Sequence, residues 1–189
     1  MQRINIDNKS LIVGYHAQEF RHTGVLELPI RCDISNAWLG SGYYFWTELE
    51  FAKYWGEDFK KRTGSYDVYS TCIDVENCIN TVFNEEQYFF FRNCIEKAIS
   101  HFEKEGKEIT LKRVHEFLSD KFWNKMGISG IIYDDLPFNP TQKPNRKYSV
   151  IEYKENNNTR FFYYRKRIQI VVFNLKNIRN FELHLEEQS

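Results

Sequence analysis

The order of patterns along the chain predicts an α+β domain: β-like runs lie near both ends, two helical stripes lie between them, and one late run, Ile168 to Phe173, is almost wholly apolar. A length of 189 residues suits one domain, 1–189, carrying a helical insertion over about 84–126. Hydrophobic residues at 42% can fill a core without disulfides or structural metal, and aromatic residues reach 17%.

Each element has a local reason. Leu11 to His16 is a β-like run, and the polar stretch after it, to about Asn36, reads as loop. Leu39-Gly40-Ser41-Gly42-Tyr43-Tyr44-Phe45 is a glycine turn opening an aromatic strand, and Thr47 with Glu48 and Glu50 starts a short helix carrying Phe51, Ala52, Tyr54 and Trp55. Asp67 to Val75 reads as a strand. Asn84 with Gln87 can cap a helix whose Phe91, Ile95, Ala98 and Phe102 recur at three- and four-residue steps. A second helix from Thr110 through Val114, Leu118 and Phe122 to Met126 is stopped by Gly127. Strands are expected again at Gly130 to Tyr133, Tyr148 to Tyr153, Arg160 to Tyr164 and Ile168 to Phe173, with a loop at Pro137 to Pro144 and a turn at Asn156 to Asn158.

Charge and composition exclude several classes. Lys plus Arg equals Asp plus Glu at 26 each, so no whole-molecule field draws in nucleic acid or an anionic membrane, and any basic site must be local. No apolar run approaches the roughly 20 residues of a membrane span. The first ten residues are too polar for a secretory signal, so a cytoplasmic setting is expected. Cys32, Cys72, Cys78 and Cys94 lack Cys-x-x-Cys spacing and are expected to be reduced and packed.

Three features stand out: His16 ending the first strand, the glycine-aromatic segment, and Gln169 inside the most apolar strand. Singly, a structural histidine, a hairpin turn and a backbone-bonded glutamine explain them. Gly40-x-Gly42 also lacks the third glycine of a dinucleotide fingerprint. Taken in order, Tyr15-His16-Ala17, then Leu39 to Phe45 with Ala52-Lys53-Tyr54, then Gly130 to Tyr133 and Ile168 to Asn174, resemble ADP-ribosyltransferases of the diphtheria-toxin and poly(ADP-ribose) polymerase type. The match covers both ends and part of the middle, and leaves Asn84 to Met126 unaligned.

The resemblance implies a split, twisted antiparallel sheet around an NAD cleft, with inserted helices. It implies that His16 bonds the adenine-side ribose, that the backbone at Ala17 holds the nicotinamide carboxamide, that Gly42 lies against NAD, and that Tyr44 and Tyr54 hold the nicotinamide ring. His16, Tyr44 and Gln169 would be the catalytic set, with Gln169 at the reacting ribose and no metal. The family more often has glycine at Ala17 and glutamate at Gln169.

Chemistry limits what glutamine can do there. Breaking the nicotinamide–ribose bond passes through an oxocarbenium-like state. A neutral hydrogen bond contributes about 0.5–1.5 kcal/mol against about 1.5–3 for a charged one. Glutamine also cannot deprotonate an acceptor, so mono-ADP-ribosylation is expected rather than chain elongation, with Glu152 and Glu155 as candidate bases.

If Arg160 to Gln169 kept strand alternation, Tyr163, Arg165 and Arg167 would share a face with Gln169 and bind the acceptor. Guanidinium groups beside aromatic faces favour a nucleic-acid acceptor over a protein, and the arginines could instead reach the NAD pyrophosphate. The resemblance also extends to bacterial toxins restrained by an antitoxin protein. A rival expectation is a magnesium-dependent nuclease built on Asp134, Glu152 and Lys154. Another is a catalytically weak module that binds NAD or ADP-ribose.

Overall fold

The computed structural model describes residues 1–6, 9–21, 24–60, 64–135, 150–155 and 158–184. The expected loop at Pro137 to Pro144, the start of the strand at Tyr148 and two residues of the turn at Asn156 lie outside them.

Strands β1 (Arg3–Ile6), β2 (Lys9–Glu19) and β3 (Tyr43–Trp46) precede a short helix α1 (Leu49–Trp55). After β4 (Tyr66–Asp74) and β5 (Cys78–Asn80) come the helices α2 (Glu85–Lys104) and α3 (Leu111–Leu118). A π-helical turn then leads into α4 (Asn124–Met126). Strands β6 (Gly130–Asp134), β7 (Val150–Glu155), β8 (Asn158–Tyr163), β9 (Ile168–Val172) and β10 (Ile178–Leu183) complete the chain. Mixed helices with a mostly antiparallel sheet make the α+β class observed fact.

The helices form where the local signals stand. Asn84 accepts a hydrogen bond from the Gln87 backbone N–H at 2.9 Å, and Thr110 caps α3 through Arg113 N–H at 3.3 Å. Gln87 does not bond back to Asn84; its side chain accepts from Asn80 N–H at 2.6 Å, tying α2 to the end of β5. Gly127 ends the helical segment at φ 66°, a conformation that glycine adopts without steric cost. α1 begins at Leu49 without a side-chain cap, because Glu48 is engaged by Arg165 instead.

Among the described residues, eight strands form one sheet in the order β10-β4-β2-β3-β9-β6-β5, with β1 on β2, while β7 and β8 pair only with each other. β9 is buried along its whole length and alternates cleanly. Ile168, Ile170 and Val172 face a cluster that includes Ile12, Phe45, Ile73 and Ile132, while Val171 faces one built with Phe91, Ala98, Val114 and Leu118 of the helices. Because the first cluster draws on both ends of the strand order, the sheet curls over it. The helices cover the other face.

One join in the sheet is slight. β3 pairs with β9 over Tyr43 to Trp46 but meets β2 only at Tyr15↔Trp46. The same edge of β2 carries β1 as far as Ile12, so from His16 onward that edge has no strand partner among the described residues. The sheet opens there.

Asn84→Ala removes the α2 cap and is expected to cost about 1 kcal/mol. The check is the urea midpoint, and an unchanged midpoint contradicts the cap's role.

Candidate functional site

The opening between β2 and β3 is a cleft of about 420 Å³. His16, Ala17 and Gln18 line it from β2, Tyr44 and Trp46 from β3, Gln169 from β9, and Trp38 and Trp55 from the loop before β3 and from α1. Sequence distance between the first and last of these is large, yet His16, Ala17, Tyr44 and Gln169 share the one cavity.

Hydrogen bonds join them. The His16 ring nitrogen Nδ1 lies 2.9 Å from the Tyr44 carbonyl oxygen. A carbonyl only accepts, so Nδ1 carries the proton and donates. In the neutral ring Nε2 is then a bare acceptor, and it is buried with no hydrogen-bond partner of ordinary geometry among the described residues. Burial holds His16 below its usual pKa and Lys60 adds to this, against the opposing pull of the Tyr44 carbonyl, Gln18 and Glu19.

The Tyr44 hydroxyl donates to Gly40 O at 2.7 Å and accepts from Leu39 N–H at 3.1 Å. Burial raises its pKa strongly, so it stays a neutral phenol. Trp38 Nε1–H donates to Gln169 Oε1 at 3.0 Å, and the Trp38 ring packs T-shaped with that of Tyr133, the neighbour of Gln169 on β6, at 5.2 Å. His115 of α3 donates from Nε2 to Trp38 O at 2.8 Å. The turn Trp38–Gly40 therefore holds Tyr44 and Gln169 at once, and helix α3 holds the turn.

Other expected residues stand elsewhere. Tyr54 does not line the cleft: its hydroxyl bonds Glu50 one helical turn back, while Trp55, one residue on, faces the cavity and packs on Trp46 at 6.1 Å. Of the two expected tyrosines only Tyr44 lines the cleft, and the other rings lining it are those of His16, Trp38, Trp46 and Trp55. Gly42 is not a lining residue either. It exchanges backbone hydrogen bonds with Cys32 at 2.8 and 3.1 Å, and a Cβ on it would sit 2.6 Å from Val171 Cγ2 and 2.8 Å from Val172 O. Close packing against β9 explains that glycine.

The expected single face from Tyr163 to Gln169 does not form, because β8 ends at Tyr163 and β9 begins at Ile168. The Tyr163 side chain lies outside the described residues. Arg165 turns to Glu48 and Glu50 and lies 5.0 Å over Phe51. Arg167 pairs with Asp135 at 3.0 Å and lies 5.0 Å over Trp46. Neither is on the cleft wall. The cations that are, Arg31 and Lys60, were not singled out from the sequence; Asp33 is 2.9 Å from Arg31 and Glu19 is 3.1 Å from Lys60. No local pattern marks them.

Comparison of the chain with family models, curated proteins and solved structures finds no match. Asp134 lies in the main sheet and is 3.8 Å from Lys166, whereas Glu152 and Lys154 are exposed on the β7–β8 pair. Among the described residues no group of three or more His, Cys, Asp or Glu side chains stands together as a metal site. No described helix is long and apolar enough to cross a membrane, and all four cysteines are free thiols, Cys78 and Cys94 buried and Cys32 and Cys72 half-buried.

Burial also lowers the pKa of His115. A histidine depressed in the folded state binds fewer protons there than in the unfolded chain. Its contribution is therefore present above the unfolded value near 6.5 and is lost as pH falls through 6.5 toward the folded value. The urea midpoint is expected to fall between pH 7.5 and 5.5, and to fall less in His16→Gln with His115→Gln. A double variant as pH-sensitive as the parent contradicts this.

Proposed function

We propose that the protein is an NAD-dependent mono-ADP-ribosyltransferase acting on a macromolecular acceptor. The observation that carries this is that His16, Tyr44 and Gln169, distant in sequence, line one cleft with Ala17 and several tryptophans.

In this reading the bare Nε2 of His16 accepts a hydrogen bond from a hydroxyl of the adenine-side ribose. The β2 edge at Ala17, without a strand partner among the described residues, presents backbone to the carboxamide. Trp46, Trp55 and Tyr44 offer aromatic surface to the positively charged nicotinamide ring, an attraction that favours the bound cation and so supplies orientation rather than rate. Arg31 and Lys60, in place of Arg165 and Arg167, are the cations available to the diphosphate.

Gln169 then stands at the reacting ribose. The C–N bond breaks, its electron pair neutralises the pyridinium nitrogen, and nicotinamide leaves. The acceptor's nucleophile attacks the oxocarbenium carbon and loses its proton to solvent or a base of its own. With Arg165 and Arg167 already ion-paired, nucleic acid has no advantage over protein as acceptor on these grounds. A module that binds NAD without cleaving it is the second reading, favoured by the neutral Gln169.

Incubation with labelled NAD and a cell lysate tests this, followed by nuclease or protease to identify the labelled product. His16→Ala and Gln169→Ala are each expected to cut nicotinamide release at least about tenfold. Gln169→Glu, which replaces a neutral bond by a charged one, is expected to raise it about tenfold. Full labelling by His16→Ala sinks the assignment, and NAD binding without nicotinamide release establishes the second reading.

A further inference from the structure

Gln169 differs from a glutamate in having two unlike ends. Its oxygen accepts, and its NH2 only donates and carries partial positive charge. Turned toward a ribose that is becoming cationic, the NH2 would oppose the reaction, while the oxygen would assist it. Something must choose between the two orientations.

The Trp38 indole makes that choice, since Nε1–H is a donor and nothing else. Its 3.0 Å contact to Gln169 can be made only to the oxygen, which fixes the amide orientation without ambiguity. One lone pair of Oε1 is used by the indole and a second is left for a hydroxyl. Trp38 is itself constrained: its carbonyl accepts from His115, and its ring packs T-shaped with that of Tyr133 at an interplanar angle of 82°. Gly40, two residues on, has φ 85° and its absent Cβ would stand 3.0 Å from the His115 ring. Turn and helix are thus packed against each other.

We propose that Trp38 is a positioning residue that holds the Gln169 amide with its oxygen toward the reacting ribose, with the helical insertion anchoring Trp38 through His115. This rests on the transferase reading above and assigns to the insertion a part in orienting the site. Trp38 does not touch the reacting atoms; it acts through Gln169.

The experiment is a double-mutant cycle with Trp38→Phe and Gln169→Ala, read by kcat and KM for nicotinamide release from NAD and by the 1H–15N indole resonance of Trp38. Trp38→Phe alone is expected to lower kcat about three- to tenfold, the loss of one neutral hydrogen bond, with KM changed less than about twofold. In the Gln169→Ala background it is expected to have no further effect. The indole proton is expected to shift upfield in Gln169→Ala and to shift downfield in Gln169→Glu, where a carboxylate accepts more strongly. If Trp38→Phe folds poorly, site-specific replacement of Trp38 by its benzothienyl isostere, which keeps the ring and lacks the N–H, should give the same loss of kcat.

Additive losses, an unchanged kcat in the isostere or an indole resonance indifferent to Gln169 would each overturn the positioning role while leaving the transferase reading intact. A wild-type protein that releases no nicotinamide overturns the transferase reading and the ribose role with it, and the indole shift then reports on the hydrogen bond alone.

Discussion

The cleft depends on the hydrogen bonds that converge on the turn Trp38–Gly40. Tyr44 bonds this turn twice through its hydroxyl, Gln169 receives the Trp38 indole, and His115 secures the Trp38 carbonyl from the far side. His16 joins through the carbonyl of Tyr44. Each bond contributes about 1 kcal/mol net of the water contacts it replaces, but buried groups stripped of their partners cost more than that, so the set is held together by the penalty for breaking any member. Strands β2, β3 and β9 and helix α3 are thereby referred to one short segment.

The electrostatic character of the cavity follows from its burial. His16 and Tyr44 are both pushed toward their neutral forms, so the polar atoms deep in the cleft are uncharged donors and acceptors set among indole rings. Charge is confined to Arg31, Lys60 and Asp33 among the lining residues, and each cation has a carboxylate beside it. The slight β2–β3 join opens the cleft, because beyond Tyr15 that edge of β2 has no strand partner among the described residues.

Much of the architecture was legible locally. The caps at Asn84 and Thr110, the stop at Gly127 and the apolar β9 each depend on near neighbours in the chain, and each formed where the pattern stood. β1, β5 and β10 were not foreseen. They are short, half-buried or edge strands whose pairing partners, not their own residues, make them strands. Glu48 and Glu50 read as a helix start but were taken up by Arg165, more than a hundred residues away.

The sequence by itself marked three side chains that the cleft brings together: an imidazole in a β run, a tyrosine in an aromatic strand behind a glycine turn, and one amide in an apolar strand. It did so because period and turn chemistry are properties of neighbouring residues. Only the tertiary structure decided that Trp55 and not Tyr54 faces the cleft, that Trp38 meets Gln169, and that Arg165 and Arg167 turn to carboxylates away from it. Those outcomes are set by which surfaces remain after the sheet has curled and the helices have packed, a matter of contacts between segments that no local pattern encodes.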